Sequence, residues 1–211
     1  MIKTRTRNSC TQASIEIYCQ KNDHRMATST VNLVVAACNN LGIGFEGRIP
    51  WRIKQDLAFF KKITSTTQDP EKQNAVVMGR KTWFSIPAKF RPLPKRINVV
   101  LSRELPEAPK GALLARNFAD PMEMLTTGSL SWKVESVFVI GGSSVYEEAM
   151  MSDRFPCRLY LTRVFGDFKC DTFIPSPDDH GFQKVPNPDD IPSETLTEND
   201  LDFRFEVYEK N

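Results

Sequence analysis

A chain of 211 residues, 40% apolar and 26% charged, has room for one sizeable domain but not for two comfortable ones. Its formal net charge of +2 excludes a strong whole-molecule attraction to nucleic acid or to a membrane surface, so an anionic partner must be held by a local cluster. No run approaches the roughly 20 apolar residues that span a bilayer. Five dispersed cysteines (Cys10, Cys19, Cys38, Cys157 and Cys170) fit free thiols in a reducing compartment better than a disulfide framework.

Residues 1–30 place Lys3, Arg5 and Arg7 among Thr, Ser and Asn, which predicts an extension without a fold of its own. Such a composition also suits a mitochondrial presequence, although Glu16 and Asp23 oppose that reading, and a cytoplasmic protein is expected. The domain is expected over 31–211. Val31 to Cys38 is a nearly continuous apolar, β-branched run, as in a strand buried on both faces. A glycine-punctuated loop, Gly42 to Gly47, leads to Pro50-Trp51 and then to an amphipathic helix over Gln55–Thr64. Apolar strands are predicted at Ala75–Met78, Ile97–Leu101 and Ser136–Ile140, a further strand at Leu159–Val164, and short helices after Gly79, at Pro121–Leu125 and after Gly142. Phe203 to Tyr208 alternates and suits an antiparallel edge strand. Strand and helix in alternation predict an α/β sandwich on a mostly parallel, mixed sheet.

Three strand ends carry features that anion binding needs. At Met78-Gly79-Arg80-Lys81-Thr82 a glycine turns the backbone into a helix whose first N–H groups lie beside two cations. Ile140-Gly141-Gly142-Ser143-Ser144 permits close backbone approach, and Leu101-Ser102-Arg103 ends the central strand with a hydroxyl and a guanidinium. Each alone is more often a turn with an N-cap or a solvated face. Together, at the carboxyl ends of strands, they point to a dinucleotide, and the cations favour one with an extra phosphate, NADP over NAD. Neither a GxGxxG nor a GxxxxGK[ST] motif is present. Only two histidines occur, His24 and His180, so a bound metal is not expected.

Asp56 stands on the first helix with Leu57 and Phe60 on the same side. Near a helix start, an acid there can simply complement the dipole. Alternatively it is a carboxylate in an apolar cleft, able to accept two parallel hydrogen bonds from the edge of a planar, nitrogen-rich ring.

At this point the chain resembles dihydrofolate reductase. The matching segments are Gly42-Ile43-Gly44, Ile49-Pro50-Trp51, Asp56 to Phe60, Met78 to Trp83, Ser85-Ile86-Pro87, Arg91-Pro92-Leu93 and Arg96-Ile97-Asn98. They continue with Val100 to Arg103, Ile140 to Tyr146, Asp171-Thr172-Phe173 and Phe205 to Lys210, in family order from Val31 onward. The resemblance implies a three-layer sandwich, with a central eight-stranded mixed sheet and about four flanking helices. It also implies reduction of 7,8-dihydrofolate by NADPH, sensitivity to antifolates such as methotrexate, and a monomer.

Residue by residue, the resemblance gives Asp56 the pterin edge, Thr172 a hydrogen bond to Asp56, and Trp51 an ordered water beside them. Val34, Leu57, Phe60, Ile86, Leu93 and Ile140 would enclose the rings, and Arg96 would pair with the glutamate carboxylate. Ala36, Ile43 and Tyr146 would lie at the nicotinamide. Gly79, Arg80, Lys81, Thr82, Leu101, Ser102 and Arg103 would surround phosphates, with Gly141, Gly142, Ser143, Ser144 and Val145 at the pyrophosphate. Cis peptides would fall at Gly141-Gly142 and Arg91-Pro92. The Gly42 to Gly47 loop is a candidate lid. A related reductase of pyrimidine intermediates in riboflavin synthesis would not be expected to combine Asp56, Phe60 and Arg96. The acidic, Pro-rich stretch 178–202 matches poorly and carries no functional expectation.

Overall fold

The computed structural model describes residues 30–210; the expected extension, 1–30, lies outside them but for its last residue. The first apolar run forms β1 (Val31–Ala37), followed by the short β2 (Gly42–Gly44) and the helix α1 (Lys54–Ser65). Then come β3 (Gln73–Gly79), α2 (Arg80–Ser85), β4 (Arg96–Leu101), β5 (Leu113–Ala115) and α3 (Ala119–Thr126). The chain continues with β6 (Val134–Val139), α4 (Ser143–Met151), β7 (Cys157–Phe165) and β8 (Thr172–Phe173). It ends in β9 (Gln183–Val185), β10 (Leu196–Glu198) and β11 (Leu201–Lys210).

Eight strands run in the order β10-β11-β7-β1-β6-β3-β4-β5, and β9 also pairs with β11. From β7 across β1, β6, β3 and β4 to β5 every pairing is parallel, whereas β11 runs antiparallel to β7. The mixed eight-stranded sheet and its antiparallel border strand are therefore as expected. Three-residue strands take the outer side of β11 at either end, which leaves little unpaired edge.

The pleat of β1 explains why its run is apolar throughout. Val31, Leu33, Val35 and Ala37 point into a core built with Met122 and Leu125 of α3 and Val145, Ala149 and Met150 of α4. Val34 points the other way, into a cluster with Val76, Met78, Phe138, Trp83 of α2 and Phe60 of α1. Helices thus cover both faces, giving three layers. Because β4, β3, β6 and β1 are parallel, their carboxyl ends share one border of the sheet, where the glycine-bearing loops gather. Both expected cis peptide bonds, Arg91-Pro92 and Gly141-Gly142, are present.

Candidate active site

Helix α1 begins at a residue, Ile53, that supplies no side-chain cap. Glu198 of β10 does that work from far along the chain, its two carboxylate oxygens accepting the backbone N–H groups of Lys54 at 2.8 Å and Gln55 at 3.0 Å. The helix start is therefore already neutralised by Glu198, and Asp56 is free for another task. Its Oδ1 accepts a hydrogen bond from the Thr162 hydroxyl at 2.6 Å. Half-buried between α1 and the sheet, the Asp56 carboxyl is pushed above the ordinary carboxylate range by burial, against the opposing pull of that bond. Beside this helix, the Trp51 indole N–H is shielded and has no protein acceptor, alone in this among the buried side-chain polar atoms described.

Thr162 replaces Thr172 as the partner of Asp56. The Thr172 hydroxyl instead donates to the adjacent Asp171 carboxylate at 2.8 Å, and Asp171 also accepts the Glu46 N–H at 2.8 Å. With Asp171 N–H on the Gly44 carbonyl and Ile174 N–H on that of Leu41, the Asp-Thr-Phe segment clips the glycine loop, not the helix. The signal for Thr162 was the hydroxyl within the apolar strand at Leu159–Val164, on the pleat face shared with Tyr160 and Val164. Its register partner on β1 is Ala36, two residues beyond Val34.

Five of the six expected wall residues, Val34, Phe60, Ile86, Leu93 and Ile140, meet in the apolar cluster on the α1 face. The sixth, Leu57, stands exposed one turn before Phe60. Past Phe60, Arg96 is 9% exposed and makes no ion pair among the described residues. Its Nη1 donates to Thr64 Oγ1 at 2.7 Å and its Nε to the Pro94 carbonyl at 3.0 Å, with the guanidinium 5.9 Å from the Phe60 ring centre. Thr64 is fixed in turn by donating to the Phe60 carbonyl at 2.7 Å. Asn98 holds the 93–96 turn by accepting the Leu93 N–H and donating to the Leu93 and Arg96 carbonyls. A carboxylate on the Phe60 helix and a guanidinium beside the Phe60 ring thus accompany one apolar cluster.

On the other side, two helix starts meet. The Gly79 N–H donates to the Gly141 carbonyl at 2.7 Å, and neither α2 nor α4 has a side-chain cap. A Cβ on Gly142 would lie 3.3 Å from Thr82 Oγ1, and one on Gly79 would lie 3.3 Å from Val145 Cγ2, so bare backbone is what lets the starts approach. At Gly141 the φ of 112° itself favours glycine. The Tyr146 ring packs on Gly141, and its hydroxyl donates to the Val34 carbonyl at 2.6 Å. Burial, then the charge of Asp56, raises the pKa of that phenol.

Several expected phosphate contacts have internal partners here. Arg80 pairs with Glu104 at 2.7 Å, and Ser102 Oγ accepts the N–H groups of Glu104 and Leu105. Ser143 donates to the Phe173 carbonyl. Lys81, Arg103 and Ser144 are exposed; Thr82, Leu101 and Ile43 are half-buried, and so is Ala36 at the end of β1. Uncapped N–H groups, a glycine cradle and nearby cations fit the phosphates of a dinucleotide.

An open α/β sheet with two glycine-lined helix starts beside an apolar cleft fits the class of nucleotide-cofactor oxidoreductases. The family model for dihydrofolate reductase matches residues 30–210. The chain is 47% identical over 182 residues to the dihydrofolate reductase of Drosophila melanogaster, covering 85% of this chain and 97% of the fly protein. Against that of Gallus gallus the identity is 43% over 184 residues, covering 86% and 97%. The solved Schistosoma mansoni dihydrofolate reductase superposes with a TM-score of 0.76 at 42% identity, covering 86% of this chain and 98% of that one. The chain belongs to the dihydrofolate reductase family. Membership implies a nicotinamide cofactor and ligands of the dihydrofolate and antifolate type.

Proposed function

We propose that this chain reduces 7,8-dihydrofolate to tetrahydrofolate with NADPH, so serving one-carbon metabolism and thymidylate synthesis. One observation carries the reading: a half-buried carboxylate, Asp56, on the helix that gives Phe60 to the apolar cluster, and a buried guanidinium, Arg96, beside that ring and without an ion pair among the described residues. Asp56 accepts hydrogen bonds from the pterin's 2-amino group and N3, holding the ring in one orientation. Phe60, Ile86 and Leu93 exclude water from the ring faces, and Arg96 takes the glutamate carboxylate in a forked pair. When bound, NADPH supplies the hydride to C6.

Asp56 grips the pterin edge remote from N5, so its part is to orient and polarise; a water delivers the proton. The Trp51 indole N–H, which has no acceptor among the described residues, is available to hold a water beside that carboxylate. Gly79, Gly141 and Gly142 let the cofactor phosphates reach the α2 and α4 starts, and Lys81 and Arg103 supply the charge for an additional phosphate. Alignment of the reacting carbons supplies several kcal/mol of rate enhancement.

The test is to mix the purified chain with NADPH, with dihydrofolate, and with both, following NADPH absorbance. Rapid loss only with both, stopped by methotrexate, is the expected result. Absence of turnover in the well-folded protein would overturn the proposal.

A further inference from the structure

Cys38, just after β1, and Cys170, just before β8, are 132 positions apart, yet their sulfurs lie 3.9 Å from each other. The remaining free cysteine among the described residues, Cys157, has its sulfur directed at the Ala149 and Phe155 carbonyls instead. Gly42 explains how the pair meets. A Cβ there would sit 2.5 Å from Cys170 Sγ and 2.7 Å from its Cβ, so the Cys170 side chain rests on bare backbone. Asn40 Oδ1 completes the junction, accepting the Cys38 S–H at 3.0 Å and the Gly42 N–H at 3.1 Å. Cys38 is fully buried, whereas Cys170 is half-buried and open to a small reagent.

We propose that Cys38 and Cys170 form a dithiol modification site that takes low-molecular-weight disulfides and closes into an intramolecular disulfide. The Cys170 thiolate attacks one sulfur of the reagent RSSR, forming a mixed disulfide and expelling RS⁻. The Cys38 thiolate then attacks the Cys170 sulfur and expels the second RS⁻. Two protein thiols are oxidised, one RSSR is reduced to two RSH, and the two thiol protons end on the released RS⁻ groups. Closure needs the sulfurs to move from 3.9 Å to about 2.05 Å, and both sit in loops. Burial, and then Cys38 beside it, hold the Cys170 thiol above its ordinary pKa. Proximity, the 3.9 Å between their sulfurs, selects these two residues.

The bond would lie across the junction where Asp171 and Ile174 already clip the 41–46 loop, making that clip covalent. Slower turnover in the oxidised state follows, a consequence that rests on the reductase reading; formation of the bond does not.

The experiment uses the full chain, reduced and then incubated with oxidised glutathione, followed by acid quench, alkylation and peptide mass mapping. Wild type is expected to show a Cys38–Cys170 linked peptide and a loss of two titratable thiols, with no glutathione retained there. Cys38→Ser should stall with glutathione on Cys170, and Cys170→Ser should leave Cys38 unmodified. A wild-type chain that keeps both thiols, or that links another pair, would overturn the site. Turnover should fall severalfold on oxidation and return with dithiothreitol; a linked peptide with unchanged turnover would overturn its control of the loop. Turnover of the reduced protein tests the reductase reading separately.

Discussion

The Thr162 hydroxyl lies 2.6 Å from the Asp56 carboxylate, joining a strand in the body of the sheet to the first turn of a helix 106 residues earlier. A hydrogen bond to a charged group contributes about 1.5–3 kcal/mol. Thr162→Val keeps the shape and removes the donor, so kcat/KM for dihydrofolate should fall between about tenfold and a hundredfold. Thr172→Val, whose hydroxyl meets Asp171, should leave the affinity of Asp56-directed inhibitors unchanged. Equal losses of inhibitor affinity in the two variants, measured by titration, would contradict this assignment.

Asp56 sets stability against function. Its folded pKa is raised, so the folded chain takes up the proton more readily than the unfolded one. Ionised Asp56 therefore costs stability at neutral pH, and the cost disappears as pH falls through the raised value toward the ordinary one. Asp56→Asn should leave the ligand-free chain with an equal or higher melting temperature at pH 7. Its turnover should drop by about a hundredfold or more, recovering in part at acidic pH where the substrate is already protonated. Thermal scans and pH–rate profiles check both halves; a clearly lower melting temperature would refute the first.

Arg96 is held by Thr64 and Pro94 and makes no ion pair among the described residues. Arg96→Gln should weaken binding of dihydrofolate by about 3 kcal/mol, near a hundredfold in KM. A dihydropterin without the glutamate tail should be turned over equally by both forms. Comparing the two substrates decides the matter, since general damage would slow both.

Glu206 is a structural charge, 2% exposed, that accepts from Lys184, Arg204 and Arg163 at 2.7, 2.7 and 3.1 Å and from the Tyr208 hydroxyl at 2.9 Å. Burial opposes its ionisation, but the four donors prevail and bring the carboxyl from 4.5 down to about 2. A depressed folded pKa gives stability that is complete above 4.5 and lost as pH falls through about 2. Glu206→Gln should lose about 2–3 kcal/mol at neutral pH and flatten the denaturation profile across that acid window. Superposable wild-type and variant profiles would rule out the network's role.

Much of this was legible because local rules and global fold agree. The apolar run at Val31, the glycine pair at Gly141 and the acid beside Phe60 each announce an element or a site through residue type and spacing. Thr162 and Glu198 escaped for one reason: both act on α1 across more than a hundred positions, and pattern along a chain carries no distance through space. Thr172 misled because it follows an acid in a well-matched segment, whereas Thr162 sits unremarked within a strand. Glu198 lay in the acidic, Pro-rich stretch that matched poorly, yet it ends strand β10, whose pairing with β11 delivers its carboxylate to the helix start.

The Glu198 cap also bears on how the protein is made. Strand β1, which begins at Val31, pairs with β6 and β7, which begin only at Val134 and Cys157. At ~5–20 residues per second of synthesis, its apolar faces and edges wait several seconds for partners, an interval in which chaperones would find them. Helix α1 then waits longer still, until Glu198 has left the ribosome. The helix that carries Asp56 is made 143–144 positions before the carboxylate that caps it, so catalytic competence should arise only after Glu198 has been synthesised.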